Sequence, residues 1–286
     1  MRAIAIEEFG GPERLQLMDL PRPRPGRSEV LVRAVAVGVN PVDWNIREGR
    51  LQKILPHAFP LVPGWDVAGV VEELGENATR FRKGDRVWVY AWKPHVQWGC
   101  YAEYVAVAET SVALMPTKLL YEEAAAVPLA ALTAWQCLFD DPGIGAGSSV
   151  LVHAAAGGVG HFAVQLARHA GAGVIGTAGT ANQPFVLELG AIATVDYTKE
   201  DFREVVRRHR PEGVDLAICS TDPEATRHSY DVIKPGGRLI SLVGPPDHDE
   251  AARHYVTACD LFVEPDAEQL ATLAGLIDHL IDSLRS

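Results

Sequence analysis

A chain of 286 residues, 48% hydrophobic and 22% charged, has room for two folded domains, which excludes a disordered polypeptide. Acidic residues outnumber basic ones 37 to 26, for a formal charge of −11, which excludes a surface-wide attraction to nucleic acid or anionic membrane. Cys100, Cys137, Cys219 and Cys259 form no CxxC pair, a usage that fits a reducing compartment. The first residues alternate like a strand, and Glu7 and Glu8 arrive too early for the apolar core of a signal peptide. No apolar run reaches the roughly 18 residues of a membrane span. The expectation is a cytoplasmic protein.

Short β signals follow in order at Val30–Val39, Val67–Glu72, Arg86–Ala91 and Tyr101–Val107, punctuated by Pro63-Gly64 and Gly84-Asp85. They predict a β-rich body to about Pro116. Glu122 to Ala134 is Ala- and Leu-rich and reads as one helix. From Ser149 strands and helices alternate. Strands are expected at Val150–Val152, Val174-Ile175, Ala193–Val195, Leu216–Ile218 and Arg238–Val243. Helices are expected at His161–Ala170, closed by Gly171, at Asn182–Leu189 and at Glu200–His209. That alternation implies a parallel sheet covered on both faces. From Asp266 to Leu284 the chain predicts an amphipathic helix with Leu270, Leu273, Leu276, Ile277, Leu280, Ile281 and Leu284 on one face.

The strand Val150–Val152 runs into His153-Ala154-Ala155-Ala156-Gly157-Gly158-Val159-Gly160 and then a helix. Ala155-x-Gly157-x-x-Gly160 matches the dinucleotide fingerprint, with Ala at the first glycine position. The chemistry asks for a tight turn, a backbone that approaches a pyrophosphate, and helix N–H groups aimed at the phosphates. The competing reading is a Gly-rich turn that binds nothing. NAD binders usually carry an acid at the end of the second strand, for the ribose 2′-hydroxyl. Here that region reads Gly176-Thr177-Ala178-Gly179-Thr180-Ala181-Asn182, and the first acid after Gly160 is Glu188. The missing acid permits NADP(H). No Lys or Arg lies between Arg168 and Lys199, so a 2′-phosphate would rely on Thr180, Asn182, Tyr197 or Lys199.

Further motifs stand in order: Asn40-Pro41-Val42-Asp43-Trp44, Pro63-Gly64-Trp65-Asp66-Val67-Ala68-Gly69, Gly84-Asp85-Arg86-Val87, Ala102-Glu103-Tyr104, Leu132-Thr133-Ala134 and Lys234-Pro235-Gly236-Gly237. With Ala154–Gly160 they resemble the zinc-independent quinone oxidoreductase (zeta-crystallin-like) branch of the medium-chain dehydrogenases/reductases, from Met1 to about Pro265. The resemblance implies an α/β fold: a Rossmann doubly wound parallel sheet plus an N-terminal GroES-like β-rich domain, with a cleft between them and often a homodimer. The expected divisions are 1–117 (GroES-like), 118–250 (Rossmann) and 251–286 (C-terminal helix).

The zinc-dependent relatives carry Cys at the Asn40 position and His at the Trp65 position, and a four-Cys lobe besides. Those ligands are absent from this sequence, so no metal is expected. His153 and His161 flank the turn and read as a strand end and a helix cap. The resemblance implies hydride transfer from NADPH to a quinone or an α,β-unsaturated carbonyl, with a small-molecule substrate as the partner. It implies Asn40 and Thr133 as catalytic candidates, and Thr177, Val243 and Phe262 join Ala155–Gly160 as cofactor-binding candidates. Asn40 and Asp43 are equally readable as structural. Trp44, Trp65 and Trp92 are candidates for an aromatic substrate pocket, with simple packing as the alternative.

Two departures stand out. Asn45 occupies a position where some relatives have Tyr or Lys. Relatives also continue past the last helix, so an open or partner-completed cleft is expected here. The opposing functional reading is an NADP(H)-binding protein without redox turnover: a cyclisation or elimination enzyme, or a scaffold or sensor.

Overall fold

The computed structural model describes residues 1–140 and 143–285, with side chains to residue 281. The chain divides into two compact units, Met1–Leu132 with the segment from Glu264 onward, and Thr133–Val263. These limits differ from the divisions expected at 117 and 250.

The first unit opens with β1 (Arg2–Ala5) and β2 (Gln16–Asp19), an antiparallel pair. It continues through β3 (Glu29–Val37), α1 (Pro41–Arg47), β4 (His57–Val62), β5 (Asp66–Leu74), β6 (Arg86–Tyr90), β7 (Val96–Trp98), β8 (Tyr104–Ala108), β9 (Val112–Leu114) and α2 (Tyr121–Ala124). Its main sheet is antiparallel in the order β8-β3-β5-β6-β9. Inward residues alternate along each strand, so Val30, Val32, Val67, Val71, Val87, Val89, Val105 and Val107 form one core.

The strand expected at Val30–Val39 stops at Val37, because Asn40 caps α1 and Pro41 takes its first position. This short helix was not expected; its seven residues carry too little apolar periodicity. The helix expected at Glu122–Ala134 is two. α2 ends at Ala124 and α3 (Pro128–Phe139) begins at Pro128, whose missing N–H cannot serve a helix interior.

The second unit contains β10 (Ser149–Val152), α4 (Gly158–His169), β11 (Gly173–Ala178), α5 (Gln183–Glu188), β12 (Ala193–Asp196), α6 (Phe202–His209), β13 (Val214–Cys219), α7 (Pro223–Ser229), β14 (Ile233–Ser241), α8 (His248–Arg253) and β15 (Thr257–Asp260). The six strands are all parallel, in the order β12-β11-β10-β13-β14-β15. The chain moves outward from β10 to β12, then returns past β10 to build the other half. This is the doubly wound Rossmann order, and its switch point lies between β10 and β13. The strands are buried on both faces, as Val150, Leu151, Val174, Ile175, Leu216 and Ala217 show. β14 starts and ends earlier than Arg238–Val243, so Val243 lies in the loop beyond it. α7, α8 and β15 were not expected, being short and weakly patterned, and β15 extends the sheet past residue 250.

The last helix, α9 (Ala267–Arg285), belongs to the first unit and packs on β9. Ala267, Leu270 and Leu273 are buried, Leu276, Ile277 and Ile281 half-buried, and Leu280 exposed. The side chain of Leu284 lies outside the described residues. The Asp278 carboxylate accepts from the Thr117 N–H and hydroxyl and the Lys118 N–H, which fastens the helix to the segment after β9.

Candidate functional site

In a parallel sheet every strand ends at the same edge. The C-terminal ends of β10, β11, β12, β14 and β15 therefore carry the Gly-rich turn, Thr177 and Thr180, Asp196 and Tyr197, Val243, and Phe262 to one edge of the second unit. That is where doubly wound folds bind ligands.

The turn is built by backbone bonds. Ala154 adopts φ 48°, in the left-handed region. The Ala155 N–H donates to the Thr177 carbonyl at 2.8 Å, and the Gly157 N–H to the Ala154 carbonyl at 2.8 Å. A Cβ on Gly160 would run into the Ala154 carbonyl oxygen, so only glycine lets α4 approach the turn this closely. Gly157 and Gly158 are exposed, whereas Ala155 is buried. The helix begins at Gly158, not His161, so the N–H groups of Gly158, Val159 and Gly160 occupy its first turn, where no intrahelical acceptor exists. Exposed glycines, first-turn N–H groups and a positive helix end fit a dinucleotide's phosphates. His161 donates from Nδ1 to the Gly157 carbonyl, 2.9 Å away, from within the helix.

Thr177 is buried rather than facing a ligand, and its hydroxyl accepts from the Ala154 N–H at 3.2 Å. Thr180, expected at a 2′-phosphate, meets a carboxylate, which comes from the third strand rather than the second. Ala178 and Asp196 are paired in the β11–β12 register. Asp196 accepts from the Thr180 hydroxyl at 2.5 Å and the Thr198 hydroxyl at 2.6 Å, and pairs with the Lys199 ammonium at 3.0 Å. The two hydroxyls, more than the ammonium, hold its pKa well below the usual carboxylate range. Thr180 and Lys199, expected to meet a 2′-phosphate, are thus engaged by an acid. Tyr197 and Asn182 are exposed. Val243 lines a cavity of about 330 Å³ together with Thr226, Tyr230, Ser241 and Asp247. Phe262 is about half exposed.

The first unit holds a buried polar cluster. The Asn40 side chain donates from Nδ2 to Asp66 Oδ2 at 2.8 Å. Asp66 Oδ1 accepts the Leu129 N–H at 2.9 Å. Asp43 Oδ2 accepts the Asn40 N–H at 2.8 Å and the Tyr101 hydroxyl at 3.0 Å. Gly64 has φ 90°, and a Cβ there would strike the Tyr101 ring, so the glycine lets that ring reach Asp43. Burial raises the Asp66 carboxyl to about 8, against the bonds from Asn40 and Leu129 that favour its charge. Burial likewise raises Asp43 to about 6. Asp66 belongs to the Pro63-Gly64-Trp65-Asp66 motif, but nothing in that spacing shows that it holds Asn40.

Thr133 is buried on α3. The tryptophans differ among themselves: Trp65 is buried with its ring edge-on to Tyr90, Trp92 is half-buried, and Trp44 is 40% exposed on α1. Trp65 is therefore a core residue. Among the described residues no group of three or more His, Cys, Asp or Glu gathers as metal ligands, and no helix is long and apolar enough to cross a membrane.

Two family models match the chain: the alcohol dehydrogenase GroES-like domain over residues 26–117 and the zinc-binding dehydrogenase model over residues 158–263. The chain is similar to a quinone oxidoreductase of Homo sapiens, 38% identical over 257 residues, covering 86% of this chain and 76% of that protein. Its fold is similar to a quinone oxidoreductase of Coxiella burnetii, with TM-score 0.85, 32% identity, and coverage of 98% of this chain and 88% of the other. It is also similar to an Escherichia coli quinone oxidoreductase complexed with NADPH, with TM-score 0.85, 27% identity, and coverage of 99% and 88%. The GroES-like and Rossmann units, the motif order and these relatives agree, and the chain belongs to the medium-chain dehydrogenase/reductase family, in its quinone oxidoreductase branch.

Proposed function

We propose that this oxidoreductase is an NADPH-dependent, zinc-independent reductase of quinones or of the C=C bond of α,β-unsaturated carbonyls. The observation that carries the reading is the β10–turn–α4 junction, whose exposed Gly157 and Gly158 and first-turn N–H groups sit at the switch point of the sheet. The relatives' names and the E. coli neighbour bound to NADPH support the acceptor class and the cofactor. Ala155, Gly157, Gly158, Val159 and Gly160 are the proposed phosphate contacts. Tyr197 and Asn182 are proposed at the adenosine ribose, with Thr180 and Lys199 held behind them by Asp196. Val243 and Phe262 are proposed near the nicotinamide. When bound, the nicotinamide supplies the hydride that reduces the acceptor.

The chain's own groups do the rest. Asn40 is the proposed hydrogen-bond donor to the acceptor's oxygen, and Thr133 is kept as a proposed catalytic residue. Asp66 fixes the Asn40 amide, and burial raises its carboxyl against the two N–H bonds that it accepts. The zinc-independent reading rests on residue type and engagement: Asn40 is bonded to Asp66, and Trp65 packs on Tyr90. A cytosolic homodimer is proposed with it; β15, paired on one side only, leaves a sheet edge for a second copy. The experiment follows NADPH absorbance with a panel of quinones and enones. Turnover is expected. Binding of NADPH without any turnover would favour the non-redox reading instead.

A further inference from the structure

We infer that His153 is a positioning residue for the phosphate-binding turn, acting through Thr177. The inference rests on the reading of that turn as a dinucleotide site. His153 is the first residue after β10 and is 3% exposed. Its two ring nitrogens face two hydroxyls, Nδ1 at 3.3 Å from Thr177 Oγ1 and Nε2 at 2.9 Å from Ser229 Oγ. The ring is closed in edge-on by Phe202, with centroids 4.8 Å apart. A backbone clamp holds the same residue: its N–H donates to the Ile218 carbonyl at 3.0 Å, and its carbonyl accepts from the Ser220 hydroxyl at 3.0 Å.

The surroundings fix every proton in this chain of bonds. The Ser229 hydroxyl donates to the Ala225 carbonyl at 2.8 Å, so towards His153 it accepts. The ring proton is therefore on Nε2, and Nδ1 is an acceptor. The Thr177 hydroxyl then donates to Nδ1. Its lone pair faces back and accepts the Ala154 N–H at 3.2 Å. Ala154 is the residue in the left-handed conformation, φ 48°, which is strained for a residue that carries a Cβ. Thr177 bonds both sides of that strained residue, through its hydroxyl at Ala154 and its carbonyl at the Ala155 N–H. The ring thus orients the hydroxyl, and the hydroxyl holds the turn from which Gly157–Gly160 leave. Burial lowers the imidazole pKa to about 4, which agrees with a neutral ring at neutral pH.

This role differs from general packing in what it affects. It acts on the pyrophosphate end, which NADH and NADPH share. Thr177→Val removes the hydroxyl and nearly keeps the shape; Thr177→Ser keeps the hydroxyl. In Thr177→Val the Kd for both NADPH and NADH is expected to rise together by about tenfold, the equivalent of one lost hydrogen bond. Thr177→Ser is expected to bind like the parent protein. Equal affinity in Thr177→Val and parent overturns the inference alone, whereas a parent protein that binds no dinucleotide overturns the proposed function with it. The parent protein also gives a direct reading that needs no variant. Its His153 imidazole ¹⁵N shifts at pH 7 are expected to report a protonated Nε2 and a bare Nδ1, and the opposite tautomer or an imidazolium overturns the inference.

Discussion

Asp196 bears on the dinucleotide preference proposed for the second unit. Its charge is met by Lys199 and by the hydroxyls of Thr180 and Thr198. A 2′-phosphate near Thr180 would meet that carboxylate and an ammonium already paired. Asp196→Asn keeps an acceptor and removes the charge, so NADPH affinity is expected to improve over NADH by about threefold or more, as a like charge several ångströms away would dictate. Fluorescence titration with both dinucleotides checks this; an unchanged or lowered preference would mean that Asp196 serves only to hold Lys199 in place. The acid was hidden in the sequence for a definite reason. The fingerprint directs attention to the end of the second strand, whereas register brings Asp196 in from the third.

The buried acids predict a pH dependence. Asp66, raised from 3.8 to about 8, binds its proton more tightly in the folded protein. Its stabilising contribution is full below pH 4 and is lost as pH rises through 8, with a slope approaching about 1.4 kcal/mol per pH unit for one proton. His153, lowered from 6.5 to about 4, acts in the other window: its contribution is full above pH 6.5 and is lost as pH falls towards 4. Thermal unfolding between pH 5 and pH 9 separates them. Above pH 6.5 the midpoint is expected to fall with rising pH, and to fall less in Asp66→Asn. Identical profiles in parent and variant would show that Asp66 is already charged in the folded protein.

At the scale of elements, legibility followed pattern strength. The β10–turn–α4 unit was readable because glycine spacing, a β-branched strand and an amphipathic helix agree at one place. α7 and α8 were not, since Pro223–Ser229 and His248–Arg253 bury only Thr226, Ser229 and Ala251. Their caps, Asp222 and Asp247, each accept an N–H three residues on and were the signal available. The break before Pro128 was also written in the sequence and was overridden by the Ala-rich run around it. Asn40 was legible as a motif residue. Its partner was not, because only the fold sets the Asn40 side chain against Asp66 on β5.

α9 supplies a test at this scale. Its buried stripe ends near Leu273, and beyond that the Asp278 carboxylate fastens it through three bonds to Thr117 and Lys118, with the Lys118 ammonium donating to the Asp278 carbonyl as a fourth. Asp278→Ala is expected to destabilise the first unit by about 1 kcal/mol, as for a lost cap with partners near solvent. Hydrogen exchange should show faster opening along the second half of α9 and unchanged protection in β10 and β13. Equal loss in both units would contradict the assignment of α9 to the first.

At the scale of the whole molecule, the second unit carries the Gly-rich turn at its sheet switch point, and the first carries the Asn40–Asp66 and Asp43–Tyr101 bonds. The doubly wound order and the β-rich body were both legible from alternation and punctuation. The assignment of α9 to the first unit was not, because it depends on packing against β9 rather than on chain order. The central claim is that the turn holds a nicotinamide dinucleotide whose hydride reaches a quinone or enone. The most direct measurement is a single-turnover experiment with NADPH prebound and a quinone added. The account predicts oxidation of one equivalent of NADPH per site, and its loss together with dinucleotide binding in Gly160→Ala, where the added methyl meets the Ala154 carbonyl. NADPH that binds tightly and is never oxidised by any quinone or enone would contradict it.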